Sequence, residues 1–221
     1  MSDSGARATP PDPPATTQPH RVRLIFIRHG SSTWNEERRI QGQLDPPLSA
    51  RGEDQAARLA ERLKDKKPAG FYSSDLSRAA ATAGAIAARI GREPMLMPEL
   101  REIALGEWEG LDREQIRAAY PQQWEQWTSS PTWDLVPGSE GTSAFEARVG
   151  AALDDLLGRH RTGEVLIVTH GGVIQVALLR ILGRGSNGLF PFTIENTSLT
   201  VLEGRPGRWV VARVNDTCHL N

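Results

Sequence analysis

Two histidines follow apolar segments of the kind that form buried strands. His29 ends the stretch LIFIRH and is preceded by Arg28, whereas His170 ends the stretch LIVTH. Each histidine is followed by a glycine. A neutral imidazole can attack phosphorus through a ring nitrogen, and the planar fork of arginine suits phosphoryl oxygens. These residue types indicate covalent chemistry on a phosphate ester, with His29 as the candidate nucleophile.

Arg78 supports the same chemistry by its position. It falls in the first turn of an expected helix, behind the loop Ser73-Ser74-Asp75. Cations are unfavourable at a helix N-terminus, where the macrodipole is already positive, unless an anion lies between them. The helix expected after His170 begins with Gly171-Gly172, and free N–H groups at such an end bind phosphate. The two arginines, the two histidines and this helix end would together bind a dianionic phosphoryl group.

Cleavage of an ester also needs a proton for the leaving alkoxide. Glu102, in LREIALGEWEG, is the first candidate, and Glu107 and Glu109 are rivals on the same segment. A carboxylic acid could protonate the leaving oxygen and then, as a carboxylate, activate the water that cleaves the phosphohistidine. The neighbouring cations would favour the neutral, attacking form of His29.

Each of these residues also has a purely structural interpretation. Arg28 and His29 could form a surface pair, and Arg78 could pair with Asp75. His170 could be held by a hydrogen bond to backbone, and the glutamate could be a solvated charge. The phosphate-site hypothesis rests on the coincidence of all of them.

A metal site is a weaker alternative. His29, His170 and Glu102 could ligate zinc, but the sequence has no HExxH motif and no cysteine cluster. Nearby arginines would also repel a cation. A nucleotide-binding GxxxxGK[ST] loop is absent as well.

The segments that must position these residues alternate between strands and helices. Strands are expected at 21–28, 69–72, 93–97 and 164–169, with two or three further β segments over 189–214. Helices are expected at 48–66, 76–90, 112–128 with a break at Pro121, 142–161 and 173–182; 100–110 is expected to be irregular and 129–141 to be a loop. This alternation predicts an α/β fold, a three-layer α/β/α sandwich with a mostly parallel central sheet. Ligands bind such sheets at the carboxyl ends of the strands, so His29 and His170 would share a pocket if their strands are neighbours.

The composition excludes several classes of protein. The chain has 221 residues, 38% of them apolar, which is enough for a real core, and its net charge of −1 gives no general attraction for nucleic acid or membranes. The sequence has no long uncharged apolar run, so it predicts no membrane span. Cys218 is the only cysteine and cannot form an internal disulfide. This fits a reducing compartment, and we expect a cytoplasmic protein.

The first twenty residues differ in composition from the rest. MSDSGARATPPDPPATTQPH is rich in Pro, Ala, Thr and Ser and lacks the apolar region of a secretory signal. We expect a disordered tail over 1–20 and a single domain over 21–221.

The motifs resemble those of the histidine phosphatase superfamily, the phosphoglycerate mutase-like group, over nearly the whole chain after residue 21. LIFIRHGSSTWNEERRIQG is similar to the signature RHG(E/Q)(T/S)xxN…QG, with Ser31 in a place that usually holds Glu or Gln. The stretches DPPLSARGEDQA, SSDLSRAAATA, LREIALGEWEG and VTHGGVI follow in the order of the family.

The resemblance implies a role for each matching residue. His29 would be the phosphorylated nucleophile, Arg28, Arg78 and His170 the rest of the phosphate pocket, and Glu102 the acid and base. The candidates for phosphate or substrate binding are Asn35, Gln41, Gly42 and Gly171. The resemblance implies that no metal or other cofactor takes part.

Two activities use the same phosphohistidine. The mutases of this group carry longer insertions after the Glu102 region and a YGxLxG-type segment, whereas this chain has LGEWEGLDREQI and a short intervening stretch. The resemblance therefore favours the phosphatase branch, which includes broad-specificity and α-ribazole phosphate-type enzymes, and metal-independent hydrolysis of small phosphate esters. A cofactor-dependent phosphoglycerate mutase is the alternative, and a non-catalytic phosphoryl-binding module is a third interpretation.

Residues 105–141 are expected to cover the pocket. Four of the six tryptophans lie here: Trp108, Trp124, Trp127 and Trp133. They could form an apolar wall that selects the organic part of the ester, or a small satellite core beneath the excursion. The expected partner is a small phosphorylated metabolite, with no nucleic acid and no membrane, and the expected assembly is a monomer or a homodimer.

Overall fold

The computed structural model describes residues 21–185, 190–205 and 207–221, so the expected tail over 1–20 lies outside the described residues. The elements are β1 (Val22–Arg28), α1 (Thr33–Glu36), α2 (Ala50–Leu63), β2 (Gly70–Ser73), α3 (Ser77–Ile90), β3 (Met95–Leu96), α4 (Arg113–Ala119), α5 (Pro121–Ser129), α6 (Gly141–Arg159), β4 (Gly163–Thr169), α7 (Gly171–Ile181), β5 (Leu199–Arg205) and β6 (Arg208–Asp216). None of the helices in these ranges has both the length and the apolarity that crossing a membrane requires.

The strands form one sheet in the order β3-β2-β4-β1-β5-β6. β1 to β4 run parallel to one another. β5 pairs antiparallel with β1, and β6 pairs antiparallel with β5, so β5 alone runs against the other five strands. In the pairing of β1 with β4, Val22 lies opposite Gly163 and Arg28 lies opposite Thr169. The two apolar strands are therefore neighbours, which is the condition on which a shared pocket for the histidines depended, and both strands end at the same edge of the sheet.

Helices cover both faces of the sheet, which is why its central strands are continuous apolar runs. Ile25 and Ile27 of β1 pack with α2 and α3 in one core cluster. Leu24 and Phe26 point the other way and belong to the cluster that contains α6 and α7. The predicted three-layer α/β/α sandwich is confirmed.

Several boundaries differ from the sequence predictions. β3 is only two residues long, and α7 begins at Gly171, two residues earlier than expected. The short helix α1 has no periodic pattern because it lasts four residues. A reciprocal capping box between Ser32 and Asn35 stabilises it instead. The irregular stretch 100–110 includes a single 3-10 turn, Gly106–Trp108.

Candidate active site

The two histidines meet at the carboxyl edge of β1 and β4. His29 donates its backbone N–H to the carbonyl of Thr169 at 2.9 Å, and its ring centroid lies 5.1 Å from that of His170. The chain after β1 leads to α2 on one face of the sheet, whereas the chain after β4 leads to α7 on the other. A crevice opens at such a switch point, and this is where parallel sheets bind ligands.

His29 is held as a neutral imidazole. Its Nδ1 lies 2.7 Å from the carbonyl oxygen of Gly30. Because a carbonyl only accepts hydrogen bonds, Nδ1 carries the hydrogen and Nε2 keeps a free lone pair. Burial lowers the pKa of His29 well below its usual range, and the guanidinium groups of Arg78 and Arg28 lower it further. The sequence argument invoked only the cations, yet burial is the larger cause.

Arg78 is buried and Arg28 is partly buried, and neither has all its donors satisfied. Arg28 donates from one terminal nitrogen to Ile194 O at 2.6 Å. Arg78 donates to Gly42 O and Leu44 O, both at 2.8 Å. The Nε of each is buried and has no partner among the described residues. Burial lowers the pKa of both groups, but arginine stays charged, and a buried unpaired donor on a cation is costly unless an anion occupies the site.

His170 completes this positive pocket. Its Nε2 lies 2.8 Å from the hydroxyl oxygen of Ser74, while its Nδ1 is buried without a partner among the described residues. The interpretation that backbone holds His170 is therefore wrong. Burial, and then Arg78 and His29, lower its pKa well below the usual range. The role of Ser74 was missed, because a serine beside a strand end has no distinguishing pattern.

The carboxylate of Glu102 lies against the N-terminal end of α7. It accepts the backbone N–H groups of Gly172 and Ile103, both at 3.0 Å. A Cβ at position 172 would overlap a carboxylate oxygen of Glu102, so a side chain there would push the carboxylate out of its present position. Glu102 also lines the cavity in front of the histidines.

The two rival glutamates are engaged elsewhere. Glu109 accepts three backbone N–H groups, from Gln43, Leu44 and Leu105. Glu107 accepts the hydroxyl of Tyr120 at 2.9 Å. Neither is among the residues that line the cavity.

Arg148 of α6 holds the segment that carries Glu102. It donates to the carbonyl oxygens of Arg101 at 2.8 Å and Glu102 at 3.1 Å, and it forms an ion pair with Glu140 at 2.6 Å. Glu140 in turn accepts the N–H of Ala104 at 2.8 Å and donates its own N–H to the carbonyl of Ala104 at 3.1 Å. The ends of the excursion over 105–141 therefore meet at one bonded neck.

Arg78 does not pair with Asp75, as one interpretation had it. Asp75 instead forms an ion pair with Arg101. Asp45 caps α3 from another loop, accepting the backbone N–H of Ser77 at 2.8 Å, and lies 3.7 Å from a terminal nitrogen of Arg78. A carboxylate at the helix start thus offsets part of the unfavourable placement of Arg78, and the Nε of Arg78 remains free for a ligand.

Of the four residues predicted to bind phosphate or substrate, three line the cavity and one does not. Asn35, Gln41 and Gly42 line the cavity. The carbonyl of Gly42 holds Arg78, and its positive φ of 53° suits glycine. Gly171 begins α7 beside the guanidinium of Arg28, but it is not among the residues that line the cavity.

The segment that contains Asn196 and Thr197 also holds His29 in place, and the sequence analysis did not identify it. Asn196 donates from its side chain to the carbonyl of His29 at 3.0 Å. Thr197 donates its backbone N–H to the carbonyl of Arg28 at 2.9 Å and adopts a positive φ of 58°. A β-branched residue is strained in that conformation, so the contact is maintained at a cost. The sequence around Asn196 has no motif that could have revealed it.

The cavity in front of the histidines measures about 1000 Å³. All four tryptophans of the excursion line it. Trp108 and Trp133 are also buried in the core, with exposed fractions of 1% and 6%, while Trp124 and Trp127 are only partly buried. Trp108 and Trp133 thus belong to the main core and not to a separate satellite core, and all four tryptophans form part of the cavity wall.

Within the ranges that the structure describes, no group of three or more His, Cys, Asp and Glu side chains is arranged to hold a metal ion. His29, His170 and Glu102 thus form no such set.

The buried histidines give a pH-dependent prediction. The unfolded chain takes up protons below about pH 6.5, whereas folded His29 and His170 resist protonation, so the free energy of unfolding should fall as the pH drops from 7 to 5. His219, whose pKa burial lowers to about 4, acts in the same direction. We expect His170→Asn to reduce the fall in melting temperature over this range. Parallel curves for the variant and the unmodified protein would contradict the assignment of His170 as a buried neutral group.

Residues 24–217 match the family model described as histidine phosphatase superfamily (branch 1). Phosphoserine phosphatase 1 from Hydrogenobacter thermophilus is 33% identical over 199 residues, covering 90% of this chain and 94% of that protein. Phosphoglycerate mutase-like protein 4 from Arabidopsis thaliana is 37% identical over 201 residues, covering 89% and 86%. A solved structure of a phosphoserine phosphatase mutant from Entamoeba histolytica, in complex with phosphoserine, aligns with a TM-score of 0.80 and 28% identity over 90% of this chain and all of that one.

Proposed function

We infer the activity from one premise, which is that this chain belongs to the histidine phosphatase superfamily (branch 1). It is a phosphatase that hydrolyses small phosphate monoesters without a metal ion. Relatives named phosphoserine phosphatase, including one named as metal-independent, support this activity.

The observation that carries the assignment to this pocket is a set of three buried nitrogen atoms without hydrogen-bond partners in the described part of the chain. The Nε groups of Arg28 and Arg78 and the Nδ1 of His170 have no partner among the described residues. Two of these belong to fixed cations, both of which lower the pKa of His29, and the third belongs to His170, whose ring centroid lies 5.1 Å from that of His29. A dianionic phosphoryl group would satisfy them and place its phosphorus atom before the lone pair of the His29 Nε2.

We propose that the reaction has two halves. In the first, Nε2 of His29 bonds to phosphorus, the bond from phosphorus to the ester oxygen breaks, and protonated Glu102 gives its proton to the leaving oxygen. In the second, the Glu102 carboxylate takes a proton from water as the water oxygen attacks phosphorus. The bond from nitrogen to phosphorus then breaks, releasing inorganic phosphate and restoring both side chains.

The choice between phosphatase and mutase depends on the access of water. A mutase must keep the phosphohistidine dry and return the phosphoryl group to its substrate. The cavity here has a volume of about 1000 Å³, which leaves room for water beside a small ester and supports hydrolysis. The alternative of phosphoglycerate mutase is retained because several relatives carry mutase names, among them one named mutase-like at 37% identity and one named probable phosphoglycerate mutase at 32%.

Three further assignments are part of the proposal. Residues 105–141 cover the substrate, supported by the bonded neck between Ala104 and Glu140. The partner is a small phosphorylated metabolite, bound by one chain or by each chain of a homodimer. The location is cytoplasmic, supported by the exposed free thiol of Cys218.

An ester panel tests the activity. We expect the full chain, in the presence of EDTA, to release inorganic phosphate from p-nitrophenyl phosphate and from alkyl phosphates such as O-phosphoserine. Isomerisation of 3-phosphoglycerate primed by 2,3-bisphosphoglycerate, without phosphate release, would show a mutase instead. Thermal stabilisation by inorganic phosphate with no turnover of any ester would show a binding module.

A further inference from the structure

A row of aromatic rings leads away from the candidate acid along the cavity wall. It begins at Phe190, whose ring lies beside Gly172; a Cβ added to Gly172 would be 3.1 Å from the Phe190 Cζ. The N–H of Gly172 is the group that binds Glu102. Trp133 is the next ring, with its centroid 5.4 Å from that of Phe190, and Trp127 lies beyond Trp133 at 5.7 Å.

The row widens on α5. Trp127 stacks on Trp124 with centroids 5.8 Å apart and an angle of 24° between the planes, and it also contacts Trp108 at 6.0 Å. Helix α5 has no buried residue. Trp124 and Trp127 lie three positions apart on one face of it; both pack against the core, and both also line the cavity. Partly exposed rings that line a cavity mark a site for an apolar ligand.

The position of the aromatic row relative to the reacting groups decides which part of a substrate contacts the row. The cations surround the phosphoryl group, and Glu102 faces the oxygen that leaves. The organic group attached to that oxygen must then extend from Glu102 past Phe190 toward Trp133 and Trp127.

The outer part of the cavity offers no net charge. It is lined by three basic and three acidic side chains: Arg38, Arg39, Arg113, Glu37, Asp112 and Glu114. Arg39 is bonded to Glu37 at 2.7 Å, and Asp112 caps α4 by accepting two backbone N–H groups. Neither feature singles out a charged alcohol such as serine over a neutral one.

We propose that this site prefers phosphate monoesters whose alcohol carries a flat apolar ring close to the ester oxygen, and that the ring packs against the row formed by Phe190, Trp133 and Trp127. The preference rests on the proposed phosphatase activity. It goes further in naming the class of leaving group.

The test compares esters with matched leaving groups. Ethyl phosphate, 2-phenylethyl phosphate and O-phosphoserine all release an alkyl oxygen, so they need the acid to a similar degree. We expect kcat/KM for 2-phenylethyl phosphate to exceed that for ethyl phosphate by roughly 30- to 300-fold, the gain from burying a phenyl ring among aromatic side chains. A ratio below about threefold, or a higher kcat/KM for O-phosphoserine than for 2-phenylethyl phosphate, would overturn the proposal.

Variants locate the preference on the row. Trp127→Ala should lower the ratio of phenylethyl to ethyl turnover by about tenfold. Trp209→Ala is the matched control, because Trp209 lies on β6 and lines a separate cavity. An equal change of the ratio in both variants would contradict the assignment to Trp127.

A binding measurement on the unmodified protein does not depend on how the variants fold. The unreactive analogue 2-phenylethylphosphonate should bind at least about tenfold more tightly than ethylphosphonate and quench tryptophan fluorescence. Equal binding of the two phosphonates would overturn the preference. If no ester is hydrolysed, p-nitrophenyl phosphate included, the proposed function fails; if all are hydrolysed at similar rates, only this inference fails.

Discussion

Replacing His29 with alanine should lower kcat/KM for phosphate-ester hydrolysis by about 10⁴-fold or more, because the variant lacks the atom that bonds to phosphorus. The carbonyl of Gly30 would lose its ring donor, which is a modest structural loss. The arginines and His170 would remain, so inorganic phosphate should still raise the melting temperature of the variant. Initial rates with p-nitrophenyl phosphate measure the loss.

His160→Ala is the matched control for His29. His160 bonds the hydroxyl of Tyr72 at 2.8 Å at the end of α6, and it is not among the residues that line the main cavity. Its replacement should change turnover by less than about twofold. In the unmodified enzyme, alkaline quenching during turnover should preserve phosphorus on a nitrogen of His29, detectable by mass spectrometry. Full activity in His29→Ala, or phosphorus on another side chain, would refute the nucleophile assignment.

Glu102→Gln should show an effect that depends on the leaving group. An alkyl oxygen needs a proton as it departs, whereas p-nitrophenolate leaves readily without one. We expect kcat/KM for O-phosphoserine to fall by about 10²- to 10⁴-fold, and that for p-nitrophenyl phosphate by much less. The glutamine oxygen can still accept the N–H of Gly172, whereas its NH2 group cannot accept the N–H of Ile103, so one of the two bonds to the backbone is lost.

Glu107→Gln is the control for this experiment, because Glu107 lies on the same segment but bonds Tyr120. It should leave both substrates almost unaffected. Equal losses for the two esters in Glu102→Gln would show that Glu102 holds the structure without donating the proton. A leaving-group effect in Glu107→Gln would transfer the role to that residue.

The strand ends were the part of the site most accessible from the sequence. LIFIRHG and LIVTHGG combine an apolar run with an abrupt change to charge and glycine, and this local contrast predicts both the strand and the place where it opens to a ligand. Arg78 was identified because its positive charge lies at the N-terminus of a helix, where it is unfavourable unless an anion is bound nearby. The resemblance then added Asn35 and Gln41, which local reasoning had not singled out.

The supporting contacts could not be predicted, because each joins residues far apart in the chain. Ser74 reaches His170 across 96 positions, and Asn196 reaches His29 across 167. Asp45 caps a helix whose own N-cap residue, Leu76, has no side-chain bond to it. Serine, asparagine and aspartate are common in loops, so nothing local distinguishes these three from their neighbours.

The bonded neck between Ala104 and Glu140, held by Arg148, has a consequence for how this protein can change over evolutionary time. The chain leaves the rest of the domain after Ala104 and returns to it at Glu140, and these two residues are hydrogen-bonded to each other. The entropy cost of closing the loop between them rises only slowly with its length, so this segment can be lengthened or exchanged at little cost in stability. Glu102 precedes the neck, and the residues that its carboxylate binds, Ile103 and Gly172, lie outside the excursion. Given the substrate-covering role proposed for the excursion, natural selection, or an engineer who grafts the stretch from a relative, can change which alcohols the enzyme accepts and leave the bond-cleaving residues unchanged.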